Sequence, residues 1–161
     1  AARKPLIYAA TKATAEAVGK IAKECNCPVA VKGSSLDEVA ALTDVLEKAG
    51  VKDIVIDSGA RSVKQAFQDQ LIIRGSALVK KFRPLGYPTI ALPYEMTRNP
   101  LKEALIASMF ISKYAGIIVL SDLLGEALFP LVVERMNIFT DPQRPLATTP
   151  ARSPLNSRSS A

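Results

Sequence analysis

The stretch Asp53-Ile54-Val55-Ile56-Asp57, followed by Ser58-Gly59-Ala60 and a helical period opening near Ser62, decides the fold class. Its β-branched core shows no alternation of apolar and polar positions, which is the pattern of a strand buried on both faces in a parallel sheet. Ser62 and Gln65 have the spacing of a helix cap. The helix they open is expected to run to about Phe82, with Ala66, Phe67, Leu71, Ile72, Leu78 and Val79 on its apolar face and Gly75 as a weak point within it. Strand, short glycine loop and long helix together make one β/α unit.

The same unit recurs on both sides. Upstream, Pro5–Ala10 and Pro28–Lys32 read as strands, and Ala13–Cys25 as an alanine-rich helix. Ser35-Leu36-Asp37-Glu38 has capping-box spacing: the Ser35 hydroxyl takes a third-position N–H while Glu38 returns to the cap N–H. That helix runs to Ala49 and stops at Gly50. Downstream come a strand at Tyr87–Leu92 and a helix from Asn99-Pro100 to Ala115, apolar on nearly every side and therefore expected to be well covered. Gly116–Leu120 follows as a strand, then Leu123–Arg135 as a helix that Pro130 kinks or divides, then Asn137–Thr140 as a short last strand.

Helices between strands require parallel connections. The expected class is α/β, with consecutive β/α units and parallel strands forming an incomplete TIM (β/α)8-type barrel. A complete barrel needs roughly 250 residues, and this chain has 161. A doubly wound open sheet has the same alternation, and strand order separates the two. Residues 1–141 are expected to form the partial barrel domain. From Pro142 onward the composition turns to proline, threonine, serine and arginine, so 142–161 is expected to be a disordered tail, with 151–161 resembling an expression-vector remnant.

The formal charge is +6, but lysine and arginine are scattered among acidic residues with no basic stripe interleaved with aromatics. No nucleic-acid partner is expected. There is no apolar run of membrane-spanning length and no signal-peptide pattern, so no membrane partner is expected and cytoplasmic residence is the default. Histidine is absent, which excludes a Ser-His-Asp triad and histidine-ligated zinc. Cys25 and Cys27 supply two thiols where a cluster normally takes four.

In a β/α barrel, functional groups sit where strands run into the following loops. The positions so marked are Thr11 and Lys12; Lys32 and Ser34; Asp57 and Ser58; Tyr94, Glu95 and Thr97; Ser121 and Asp122; and Asp141. Lys32, Asp57, Glu95 and Asp122 are the candidates for an acid/base or cation site, against the alternative that they are helix caps and solvated loop charges. Lys32-Gly33-Ser34 and Ser58-Gly59-Ala60 lack the spacing of a dinucleotide or phosphate loop.

Five pieces of the chain resemble the large subunit of the corrinoid iron–sulfur protein, the gamma subunit of the acetyl-CoA decarbonylase/synthase complex. They are Arg3–Thr11, Asn26-Cys27-Pro28-Val29, Phe82–Ile90, Gly116–Asp122 and, most specifically, Met136-Asn137-Ile138-Phe139-Thr140-Asp141-Pro142-Gln143-Arg144-Pro145. The resemblance spans about residues 3–150. It implies one-carbon metabolism of the reductive acetyl-CoA pathway, in a protein with a four-iron, four-sulfur module, a central β/α barrel and a corrinoid (cobalamin-type) domain. The implied partners are a small barrel subunit, a pterin-dependent methyltransferase that delivers the methyl group and acetyl-CoA synthase that receives it.

By that resemblance the chain begins inside the barrel and stops where the corrinoid domain would follow. Neither cofactor is expected on this stretch alone, and no catalytic, cofactor-binding or metal residue is carried over. The leading expectation is a scaffold and subunit-docking barrel of a methyl carrier, oligomeric or held in a larger assembly. The alternative is a self-contained barrel methyltransferase dependent on a pterin and using Asp57, Glu95 and Asp122.

Overall fold

The computed structural model describes residues 3–113 and 115–139. Five strands alternate with five helices: β1 Ile7–Ala10, α1 Ala15–Cys25, β2 Val29–Lys32, α2 Leu36–Ala49, β3 Ile54–Asp57, α3 Val63–Leu78, β4 Ile90–Ala91, α4 Pro100–Ser112, β5 Ile117–Ile118 and α5 Gly125–Phe139. Short 3-10 turns at Arg83–Leu85 and Pro93–Glu95 flank β4.

Local chemistry sets the helix ends. Ser35 accepts the Glu38 N–H at 3.3 Å, and Gly50 closes α2 in a left-handed conformation (φ 92°). Ser62 caps α3 the same way through the Gln65 N–H. Asn99 accepts from both Leu101 and Lys102, with Pro100 at the first helical position, where an N–H is not needed. Where α1 crosses α2, a Cβ on Gly19 would lie 3.2 Å from Leu46 Cδ2, so glycine permits the close approach.

All described strand pairings are parallel. Register runs Ile7–Val29 and Tyr8–Ala30 between β1 and β2, Val29–Ile54 through Lys32–Asp57 between β2 and β3, and Ile90–Ile117 between β4 and β5. One parallel bridge, Ile56–Thr89, joins the two groups, with the Ile56 N–H donating to Pro88 O at 2.8 Å. Strand order therefore follows sequence order from β1 to β5.

The two faces of this sheet differ. Val29, Val31, Ile54 and Ile56 pack against α1, α2 and Ile73 of α3, while Ala91 and Ile118 pack against Ala66 and Phe110. Ile118 and Leu120 continue this side toward α4 and α5. The opposite face gathers Leu6, Val55, Ile90, Leu92 and Val119, a cluster that no helix joins among the described residues. A register irregularity between Tyr8 and Ala10 leaves Tyr8 on this second side while Ala10 joins the helix-side core.

Several expectations are corrected. Helix α3 ends at Leu78, three residues past Gly75, not at Phe82. Its buried positions are Ala66, Asp69, Gln70 and Ile73, whereas Leu71, Ile72, Leu78 and Val79 are exposed. The polar pair is tolerable inside because Asp69 accepts from Gln65 at 2.8 Å and Gln70 from Thr89 at 2.9 Å. Helix α4 is covered on one side only, with Leu101 and Leu105 exposed. No strand forms at Asn137–Phe139; those residues extend α5, because Leu131 and Ile138, two turns apart, share the face that meets Ala107 and Ile111. Pro130 lies within α5 without ending it. Thr140 and the expected tail, 142–161, fall outside the described residues. No described helix is long and apolar enough to cross a membrane.

Candidate functional site

A polar cluster joins Tyr8 within β1, the carboxyl end of β3 and the segment just after β4, on the sheet face that no helix covers among the described residues. Asp57 ends β3 on the same side as Val55, and only 2 % of it is exposed. A carboxylate so buried needs compensation, and the loop that follows supplies it. Arg61 grips Asp57 in a two-pronged pair, Nη1 to Oδ1 at 3.0 Å and Nη2 to Oδ2 at 2.8 Å. The Gly59 N–H donates to Oδ1 at 2.8 Å and the Tyr8 hydroxyl to Oδ2 at 2.6 Å.

The remaining guanidinium hydrogens are also engaged. Nη1 donates to Ala60 O and Nη2 to Tyr8 Oη, each at 3.0 Å, while Nε pairs with Glu95 Oε2. The other oxygen of Glu95 accepts from the Tyr94 hydroxyl at 2.9 Å. Thus β1, the β3–α3 loop and the segment after β4 are tied through one arginine.

The electrostatics follow from these contacts. Burial pushes the Asp57 carboxyl up, but Arg61, Tyr8 and the Gly59 N–H outweigh it, and the net position is below the usual carboxylate range. Desolvation, together with donation to the anionic Asp57, drives the Tyr8 phenol well above its ordinary value. Tyr94 is raised by its hydrogen bond to Glu95. Asp57 therefore stays ionised and Tyr8 keeps its proton. Since every N–H of Arg61 is already satisfied within the protein, the cluster braces three segments rather than offering an open cationic site.

Of the four residues expected to form an acid/base or cation site, only Asp57 and Glu95 are brought together, through Arg61. Lys32 is the register partner of Asp57 and half-buried, yet forms no ion pair among the described residues. Asp122 accepts the N–H of its neighbour Leu123 at 2.7 Å and stays outside the cluster. Ser121 is bound by its backbone N–H and its hydroxyl, at 2.7 Å, to the buried Glu103 of α4.

The remaining candidates serve their own loops. Thr11 bonds Thr14, Ser58 accepts from Ala60 and Thr97 from Asn99. Lys12 is exposed, and Asp141 lies outside the described residues. Ser34 is taken up by Glu38, whose carboxylate accepts both the Ser34 N–H, at 2.9 Å, and its hydroxyl. The Glu38 carboxyl consequently lies below its ordinary value. The capping box is thereby displaced: Glu38 returns to Ser34 and not to the cap residue. Likewise, the Gln65 side chain turns to Asp69 instead of its own cap.

Tyr8 and Arg61 were not among the sequence candidates. A signal for Arg61 did exist: an aspartate in step with inward Val55 is committed to burial, and Arg61 is the first cation after it. Tyr8 shares strand parity with Leu6, which marks it once the side of the sheet without helices is known.

Described cysteines, aspartates and glutamates nowhere gather in a group able to hold a metal. Cys25 is exposed and Cys27 buried, with Cys27 Sγ toward Cys25 O at 3.5 Å, so this donor set does not fit a four-iron cluster.

Fold and site together define a parallel α/β protein with one helix-covered sheet face and a braced polar rim at its strand ends. The family described as CO dehydrogenase/acetyl-CoA synthase delta subunit matches residues 1–160, and the chain belongs to it. Individual relatives bear the large-subunit or gamma name. The corrinoid/iron-sulfur protein large subunit of Moorella thermoacetica is 47% identical over 144 residues, 89% of this chain and 32% of that protein. The acetyl-CoA decarbonylase/synthase complex subunit gamma of Archaeoglobus fulgidus is 29% identical over 166 residues, 96% of this chain and 35% of that one. Its counterpart in Methanosarcina acetivorans is 33% identical over 157 residues, covering 89% and 33%. The chain thus spans about a third of the length of these relatives.

Proposed function

We propose that this chain is the scaffold and subunit-docking barrel of a corrinoid iron–sulfur methyl-carrier large subunit. The whole protein would take a methyl group from a methyl-pterin, by way of a methyltransferase, and pass it to acetyl-CoA synthase in the reductive acetyl-CoA pathway. The observation that carries this reading is the 47% identity to the Moorella large subunit over 144 residues. The self-satisfied Asp57–Arg61–Glu95 network agrees with a bracing role, because every N–H of Arg61 is spent within the protein.

An incomplete TIM barrel is supported by two features: strands paired in sequence order and, among the described residues, helices on one face only. A doubly wound sheet reverses its strand order and covers both faces. We assign residues 1–141 to this barrel domain and 142–161 to a tail outside it. The corrinoid and the four-iron cluster belong to other parts of the polypeptide, whose partners are the small subunit, the methyltransferase and acetyl-CoA synthase in the cytoplasm. When bound, the corrinoid supplies the methyl-carrying chemistry; this stretch positions its neighbours.

The test uses the full-length polypeptide purified with its small subunit. Corrinoid and cluster absorption, with methyl transfer from methyl-pterin to acetyl-CoA synthase that survives Asp57→Asn and Glu95→Gln, is the expected result. A protein without corrinoid absorption that binds methyl-pterin, and loses that binding in both variants, would instead be a self-contained methyltransferase.

A further inference from the structure

Helix α3 is turned inside out. Its inward positions include Asp69 and Gln70, while Leu71, Ile72, Leu78 and Val79 face solvent, Leu78 being 63% and Val79 82% exposed. These positions follow helical spacing and form one continuous stripe. Gly75 lies in its middle, and a Cβ added there would meet nothing within 4 Å, so another backbone can come close. Phe82, beyond the helix end, is also exposed.

The segment that carries the stripe has exposed charge of one sign. Between Ser62 and Tyr94 the sole acidic residue is Asp69, which is buried and bonded to Gln65. Lys64, Lys80, Lys81 and Arg83 are all exposed. Beside Leu78 a cavity of about 210 Å³ opens between α3 and the start of β4, lined by Ala77, Leu78, Leu85 and Tyr87 with Lys113 at its wall. An apolar stripe, a basic border and an adjoining socket match a helix whose apolar side chains are flanked by acids.

We propose that the outward face of α3 is a docking surface for an amphipathic helix of another protein chain, whose apolar stripe covers Leu71, Ile72, Leu78 and Val79 and whose flanks are acidic. The other exposed apolar faces differ: on α4 it is limited to Leu101 and Leu105, and on α5 Phe129 and Val132 sit beside Glu126 and Glu134. The choice of partners to test rests on the methyl-carrier reading.

The experiment measures the affinity of the full-length polypeptide for the purified small subunit, methyltransferase and acetyl-CoA synthase. It compares wild type with Leu78→Glu, the double variant Lys80→Glu/Lys81→Glu, and Leu105→Glu as an equally exposed control on α4. One partner should lose at least about tenfold in affinity with both α3 variants, at unchanged thermal stability, and should bind more weakly at high salt. Leu105→Glu should change nothing. If every partner binds both α3 variants as it binds wild type, the proposal is overturned and the methyl-carrier reading stands. If the variants lose only binding to phosphatidylglycerol vesicles, the face is a membrane surface and the proposal is equally overturned. Absence of all three associations in the wild type overturns the proposal together with the reading behind it.

Discussion

Asp57 and Asp122 both follow an apolar strand and precede a helix, yet one is buried in a bonded network and the other is exposed with a single local bond. The difference lies in what comes next. After Asp57 the chain reaches Arg61, which turns back over the strand end and neutralises the carboxylate. After Asp122 come Leu123, Leu124, Gly125 and Glu126, with no cation to pair. A strand-end carboxylate is drawn into the protein only when its own loop carries the countercharge; otherwise it stays in water and caps its neighbour.

The sharpest way to break this contrast is Asp57→Ala. Removing the buried carboxylate takes the two-pronged partner from a half-buried guanidinium and leaves the Gly59 N–H and Tyr8 hydroxyl without their acceptor, so stability should fall by about 3 kcal/mol in urea unfolding; a loss under about 0.5 kcal/mol would put Asp57 in the same class as Asp122. The same pair sets an acid limit. Because the folded-state pKa of Asp57 lies below its unfolded value, its contribution is complete above about pH 4. It is lost as pH falls through the folded pKa, and Asp57→Asn should flatten this acid limb.

Gly59→Ala should come next. Gly59 has φ 78°, and an added Cβ would overlap the carbonyl oxygen of Gly33, so the β3–α3 loop must shift at the residue whose N–H holds Asp57. A loss of about 2 kcal/mol is expected; unchanged stability would show that the loop yields freely.

Tyr8→Phe removes one donor to Asp57 and should cost about 1 kcal/mol near neutral pH. Since the phenol is raised in the folded protein, its contribution is complete below about pH 10 and declines as pH rises further. The variant should therefore lose the alkaline limb that wild type shows. Asp122→Ala closes the series, with a change within about 0.5 kcal/mol, measured in the same titration.

Much of the architecture was legible because continuous apolar strands, capping serines and Gly50 each carry a local signal. What escaped did so for physical reasons. Helix α3 was read with its apolar side inward, because Leu71, Ile72, Leu78 and Val79 outweigh Asp69 and Gln70 in any hydropathy pattern. The structure reverses the face by satisfying those two polar groups with Gln65 and Thr89. Asn137-Ile138-Phe139 resembles a strand in isolation, but Ile138 is in phase with Leu131 on α5. At the site, Asp57 and Glu95 were marked by position alone, whereas Arg61 and Tyr8 required knowing which side of the sheet goes without helices.

The order of the strands also governs how this chain can be made. Each strand pairs with the next one in sequence, as in Ile7–Val29, Val29–Ile54 and Ile90–Ile117, so no strand must wait for a distant partner. Each pairing closes only one β/α unit, so its loop-closure entropy is set by that unit and does not grow with the length of the chain. A nascent chain leaving the ribosome can therefore lay down one unit upon the last, each newly finished strand finding its template already in place.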